Sequence, residues 1–144
     1  MTISKNKPSF VKRAVIENSK GNILHGLRVN DAEFLKFGEV YLSKISRKSI
    51  KGWKKHLSAT LNLLVADGAV RFVALSENGS GELNKCFDTI VCEDNHGLLI
   101  VPPGVWLAFG AQENKSASIV NISTETHDPD ESVNVAFQTY AKFW

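Results

Sequence analysis

The chain has 144 residues, of which 43% are hydrophobic and 22% charged, and a formal net charge of +2 at pH 7. A chain of this size buries roughly 70% of its unfolded surface without metal or disulfide support, so one domain over 1–144 is expected and wholesale disorder is excluded. Two cysteines, Cys86 and Cys92, are too few for a disulfide framework and fit a reducing compartment.

Most lysines and arginines precede residue 56. That bias suits either solvated strand edges or a phosphorylated ligand. No helix-turn-helix, Cys-His finger or aromatic ribonucleoprotein motif supports nucleic acid as a partner. The opening stretch MTISKNKPSF lacks the apolar run of a signal peptide, and no apolar run is long enough for a membrane helix, so a cytoplasmic protein is expected. The sequons at Asn78, Asn114 and Asn121 would matter only in a secretory pathway.

In chain order, short alternating or apolar runs read as strands at 10–17, 38–46, 50–53, 61–66, 69–75, 87–92, 97–101, 105–110 and 117–123. Gly, Asn, Asp and Pro separate them, which predicts an all-β sandwich or barrel with little helix. Asp67-Gly68 predicts a hairpin joining its two flanking strands, since both residues accept positive φ. Pro102-Pro103-Gly104 predicts a second turn. The segment 132–144 is a closing strand or a short helix, with Phe137, Tyr140, Phe143 and Trp144 docked on the core, taken as about 10–135, or on a partner subunit.

Strand alternation puts Ile50, Gly52, Lys54 and His56 on one face and Lys51, Trp53 and Lys55 on the other. On the following strand, either Asn62 or its neighbours Leu61 and Leu63 face inward. Arg71 is a diphosphate partner through its planar fork, or a surface charge. Trp53 and Trp106 offer rings to a base or sugar, although Trp53, turned away from Lys54, reads first as core or interface. His127-Asp128-Pro129-Asp130-Glu131 holds a carboxylate cluster, but Asp-Pro reads first as a turn. His25 and His96 read as loop residues.

Gly52-Trp53-Lys54-Lys55-His56, the two strands after it, GLLIVPPGVWLAF (97–109) and NISTETHDPDE (121–131) occur in an order that resembles the sugar-nucleotide cupins. These are the dTDP-4-dehydrorhamnose 3,5-epimerases and the dTDP-4-keto-6-deoxyhexose 3,4-ketoisomerases, and the resemblance spans roughly residues 10 to 135. It implies a cupin double-stranded β-helix, or jelly roll, in one domain. It further implies a homodimer without metal or other cofactor that takes a dTDP-sugar in surface-polysaccharide synthesis.

Metal-binding cupins present His-x-His, a following carboxylate and a later histidine. Here the corresponding residues are Lys54-x-His56, Thr60 or Leu61, and Leu107, so one ligand of four remains and no metal is expected. The 3,5-epimerases place a histidine base in Arg-Gly-Leu-His, with a lysine and a tyrosine acid. This chain has Lys51-Gly52-Trp53-Lys54, with Asn121 or a neighbour at the tyrosine position. The ketoisomerases use Arg-Gly-x-His-x-His, against which Lys51-Gly52-Trp53-Lys54-Lys55-His56 keeps the second histidine, and Tyr41 resembles a tyrosine that faces their sugar.

The resemblance thus implies His56 as acid or base and Tyr41 beside the sugar. Lys54 would be a base, an oxyanion-stabilising cation or a phosphate contact. Lys51, Asn62, Arg71, Trp106 and Asn121 are the candidate substrate contacts. Two functions follow: a metal-independent epimerase or keto-isomerase acting on a dTDP-linked 4-keto-6-deoxy sugar, or a sugar-nucleotide-binding cupin that has lost the catalytic histidine and tyrosine.

Overall fold

The computed structural model describes residues 5–144, so the first four residues of the expected single-domain span lie outside the described residues. The strands are β1 (Ser9–Lys12), β2 (Val15–Ile16), β3 (Ile23–Leu24), β4 (Glu39–Ile45), β5 (Ile50–His56), β6 (Leu61–Asp67), β7 (Val70–Glu77), β8 (Leu83–Val91), β9 (Gly97–Val101), β10 (Trp106–Ala111), β11 (Ala117–Ser123) and β12 (Ser132–Asn134). Among the described residues helix is confined to short 3₁₀ turns at Pro129–Glu131 and Phe137–Phe143. Among the described residues no helix is long and apolar enough to cross a membrane.

Two five-stranded antiparallel sheets form, in the orders β1-β9-β6-β11-β4 and β12-β5-β10-β7-β8, and β2 and β3 make a separate ribbon. From β4 to β12 the chain changes sheet at every connection except β7–β8. This back-and-forth winding is that of a jelly roll: each crossing turns one more apolar strand face toward the gap between the sheets. Leu61, Leu63 and Val65 from one sheet meet Val70, Phe72 and Ala74 from the other in the main core.

The hairpin expected at Asp67-Gly68 does not form. The turn is tight and Gly68 has φ +80°, but β6 pairs with β9 and β11 while β7 pairs with β10 and β8. Asp-Gly satisfies the backbone of an arch between sheets as well as that of a hairpin. Here it serves the arch, carrying the chain from β6, between β9 and β11, to β7, between β10 and β8. The run 10–17 is also broken: it divides into β1 and β2 at Arg13, whose backbone N–H reaches the His96 carbonyl while its side chain binds the Gly26 carbonyl at 2.7 Å and Glu33 at 3.1 Å.

The second sheet is buried on both faces. Trp53, Val73, Leu75, Trp106 and Ala108 point away from the gap and are covered by Val135, Phe137, Tyr140, Phe143 and Trp144. The Trp53 indole N–H donates to the Phe137 carbonyl at 3.0 Å, and its ring lies parallel to that of Phe137 with centroids 6.2 Å apart. The closing segment is a strand followed by 3₁₀ turns: β12 pairs along β5, with Ser132 opposite His56 and Asn134 opposite Lys54, and the chain then folds over the outer face.

Candidate functional site

β5 carries the site, and a bulge sets its geometry. Lys54 pairs with Leu107 and Lys51 with Phe109, so Gly52 and Trp53 together oppose the single residue Ala108. The extra residue reverses the alternation, and Lys51 therefore shares the inner face with Lys54 and His56, contrary to the uninterrupted alternation expected from sequence. Gly52 has φ +142°, and a Cβ on it would lie 2.7 Å from the Ala108 Cα. Only glycine fits this close approach of two strands. Beyond the bulge Trp53 points outward into the second cluster, in agreement with its expected core role.

The inner face of β5 opens on a cavity of about 360 Å³ between the sheets. Its floor is apolar, formed by residues such as Leu61, Leu63, Val101, Leu107 and Ile119, and its polar groups are few: Tyr41, Ser43, Lys51, Lys54, His56, Asn121 and Asn134. An apolar hollow with a small set of convergent polar groups is the usual form of a small-ligand site. A second, more polar recess of about 430 Å³ continues from it, edged by Glu39, Glu125, His127, Asp128 and Glu131. Tyr41, Lys54 and His56 line both spaces and so stand where they meet.

His56 is held by Glu131, with Nδ1 and Oε1 2.6 Å apart. The other carboxylate oxygen accepts backbone N–H bonds from Leu57, Ser58 and Ala59 at 3.1, 3.0 and 2.8 Å. Burial pushes the Glu131 pKa up, but the bonds from His56, Ala59 and Ser58 and the nearby imidazole charge outweigh it and hold the carboxyl down at about 2. Glu131 is therefore an ionised acceptor, so Nδ1 carries a proton and Nε2 is the nitrogen left for a ligand. This tautomer control is what a general base requires.

Tyr41 and Asn121 are register partners on β4 and β11, and the Asn121 amide Nδ2 donates to the Tyr41 hydroxyl at 2.7 Å. Burial raises the Tyr41 pKa and Glu39 and Glu131 raise it further, against the opposing bond from Asn121, so the phenol keeps its proton at neutral pH. Lys51 Nζ donates to Ser43 Oγ at 3.1 Å. The Lys54 side chain has no hydrogen bond or ion pair to another described residue, which leaves its amine for a ligand.

Five sequence candidates, His56, Lys54, Tyr41, Lys51 and Asn121, meet at the cavity. Three do not. Arg71 lies on the outer face of β7, where Asp88 takes it in a two-pronged pair at 2.9 and 2.8 Å and the Trp144 ring lies 4.9 Å beneath it. The cause is parity: Val70 and Phe72 point into the gap, so Arg71 cannot. Trp106 points outward for the same reason, packing edge-on to Tyr140 at 5.4 Å with Lys55 over its ring. Asn62 is 1% exposed on the face of β6 opposite Leu61 and Leu63, and donates to the Ile122 carbonyl at 3.1 Å.

Glu131 stands at the end of the 3₁₀ turn Pro129–Glu131, the turn that Asp128-Pro129 predicts, where Asp128 caps the Asp130 N–H. Its role depends on the pairing of β12 with β5, a contact between segments 75 residues apart. No local signal in the sequence announces that pairing. Among the described residues no group of three or more His, Cys, Asp or Glu side chains converges to hold a metal, and at the metal-cupin ligand positions an ammonium and Leu107 offer no lone pair.

No family model and no curated protein matches the sequence. Solved structures do match. The dTDP sugar isomerase of Desulfovibrio desulfuricans G20 superposes with a TM-score of 0.83 at 28% identity, over 94% of this chain and 87% of that one. The dTDP-4-dehydrorhamnose 3,5-epimerase of Bacillus anthracis, solved with TDP and PPi bound, gives 0.76 at 17% identity over 90% and 79%. The sugar 3,4-ketoisomerase of Thermoanaerobacterium thermosaccharolyticum, in complex with TDP, gives 0.68 at 15% identity over 95% and 94%. The fold is that of the sugar-nucleotide cupins. The cavity between the two sheets is lined by one imidazole, one phenol and two lysines among its polar groups.

Proposed function

We propose that this cupin is an epimerase or keto-isomerase that acts, without a metal, on a dTDP-linked 4-keto-6-deoxy sugar. The observation that carries the reading is the His56–Glu131 pair at the edge of an apolar cavity, facing a space it shares with Tyr41 and Lys54. Neighbouring structures of the same fold are dTDP-sugar isomerases and epimerases, and two of them hold TDP.

In this mechanism His56 Nε2 removes the proton from a carbon next to the substrate carbonyl. The C–H electron pair becomes the C=C bond of an enolate, and charge moves onto the oxygen. Tyr41 donates a hydrogen bond to that oxygen and Lys54 supplies a positive charge, a stabilisation that a water-poor cavity strengthens. Delivery of a solvent proton to the opposite face, with His56 releasing its own proton to solvent, inverts the centre. Return to the neighbouring carbon, after proton transfer between the two oxygens, moves the carbonyl instead. Lys51 and Asn121 are substrate contacts in this scheme.

A homodimer belongs to the same reading. β4 ends the first sheet, with Val40 54% and Leu42 67% exposed on its outer face, and Phe37 just before it is 61% exposed. An apolar edge of this kind suits a second copy. A role in surface-polysaccharide sugar synthesis and a cytoplasmic location follow from the proposed substrate.

Incubation with dTDP-4-keto-6-deoxyglucose in deuterated water tests the reaction. Deuterium at C3 or C5, or a new keto sugar, is the expected result. Binding of dTDP with neither would overturn the isomerase and leave the non-catalytic sugar-nucleotide-binding cupin, a reading motivated by the lysine in place of the first histidine.

A further inference from the structure

β12 has only three residues and lies at the edge of the second sheet, yet it brackets the cavity. Glu131 stands just before it, on His56, and Asn134 is its last residue. Asn134 lines the cavity and is the register partner of Lys54, so the two side chains are cross-strand neighbours. The Asn134 side chain is exposed and has no hydrogen-bond partner among the described residues. A chain end of this kind frays unless it is tied down. Here the tie is Trp53. Its carbonyl accepts the Val135 N–H at 3.1 Å, and its indole N–H donates to the Phe137 carbonyl at 3.0 Å. The Trp53 ring itself is fully buried in the outer cluster, away from any ligand.

We infer that Asn134 is a contact for the sugar ring and that Trp53 is the positioning residue that holds it there. The inference rests on the proposed sugar-nucleotide ligand and says which of its two ends meets β12. Tyr41, Lys54 and His56 stand where the two recesses join, which is where the sugar reacts in the proposed scheme, and Asn134 is beside Lys54. An amide offers donors and an acceptor, as a sugar hydroxyl does, whereas a diphosphate only accepts. Register makes the placement all-or-none. A slip of one residue along β5 would turn Asn134 away from the cavity and bring Val133, now 39% exposed, toward it. The two Trp53 bonds oppose that slip, because the Val135 N–H and the Phe137 carbonyl would both move with the chain.

Calorimetry with dTDP and with dTDP-4-keto-6-deoxyglucose reads the two ends of the ligand separately. Asn134→Ala is expected to weaken binding of the keto sugar on the order of five-fold and to leave dTDP unchanged. Trp53→Phe keeps an aromatic ring but removes the N–H, and is expected to show the same selective loss. In the double variant the two losses should not add, because a displaced Asn134 and a missing one are equivalent. A purely structural tryptophan would lower stability without distinguishing the two ligands. Val91→Ala, a core truncation on β8 at the far edge of the same sheet, provides that comparison and should leave both affinities unchanged. Unchanged keto-sugar affinity in Asn134→Ala, or an equal loss for dTDP, overturns the contact. Unchanged keto-sugar affinity in Trp53→Phe, or additive losses in the double variant, overturns the role of Trp53. Should Trp53→Phe fail to fold, rapid hydrogen exchange of the Val135 amide in the intact protein overturns that role, and slow exchange supports it. Failure of the folded intact protein to bind either ligand overturns the sugar-nucleotide reading itself, and the inference with it.

Discussion

His56 Nδ1 and Glu131 Oε1 lie 2.6 Å apart, bringing together the last residue of β5 and the residue just before β12. The carboxylate does two things: it fixes the imidazole tautomer, and it ties the chain 57–59 through backbone N–H groups. Glu131→Gln keeps the size and can still bond the backbone, but it removes the charge that stabilises an imidazolium. The expected result is a fall in solvent deuterium exchange of about 100-fold with dTDP affinity retained. Unchanged exchange would show that the pair is structural.

The same pair predicts an acid limit to stability. The Glu131 carboxyl sits near 2 in the folded chain against 4.5 as its ordinary value. The unfolded chain therefore binds this proton first as pH falls. The stabilisation is complete above pH 4.5 and is lost progressively between 4.5 and 2. It amounts to about 3 kcal/mol. Urea titrations of the intact protein and of Glu131→Gln at pH 7, 4 and 3 should converge as pH drops, and parallel curves would refute the assignment.

At Gly52 any side chain would meet β10. A Cβ there falls 2.6 Å from the Ala108 Cβ and 3.0 Å from the Leu107 oxygen, and φ +142° is unfavourable to it besides. Gly52→Ala is expected to destabilise the protein by about 3 kcal/mol or more, read as a lowered urea midpoint. Gly79, with nothing within 4 Å of its Cβ position, provides the control: Gly79→Ala should leave the midpoint nearly unchanged.

The outer face of the second sheet predicts a different failure. Phe137 lies along Trp53, and its carbonyl holds the indole N–H. Phe137→Ala strips one side of a fully buried tryptophan and is expected to cost about 2–4 kcal/mol, with a red-shifted tryptophan emission as water reaches the ring. A variant of unchanged stability would mean that the 3₁₀ segment contributes little to the core.

Much of this architecture was legible in the sequence, because Gly, Pro and Asp separate the apolar runs, and the winding of a jelly roll follows from a resemblance carried by spaced motifs. Which strand lies beside which was not legible at Asp67-Gly68, where one turn chemistry serves two topologies. Inside and outside were also ambiguous on β7 and β10. Alternation separates Arg71 from Phe72 and Trp106 from Leu107, but both faces are buried, so burial alone does not say which of them holds the cavity. Alternation alone puts Lys51 opposite Lys54, because the residue that shifts it, Gly52, does so through Ala108 on another strand. Glu131 lay beyond reach because its partner is 75 residues away.

The bulge at Gly52 and Trp53 is in effect a phase shift written into β5. Lys54 and Lys55 are chemically identical neighbours, yet one faces the cavity and the other lies over the Trp106 ring on the far side of the sheet. Which of the two serves the cavity is set by a count of one residue. Removing that residue while keeping every side chain downstream of it would exchange their positions relative to Lys51, and the strand would present a different set of charges to the same ligand. The reactivity of this β5 is therefore encoded as much in the length of the strand as in its composition.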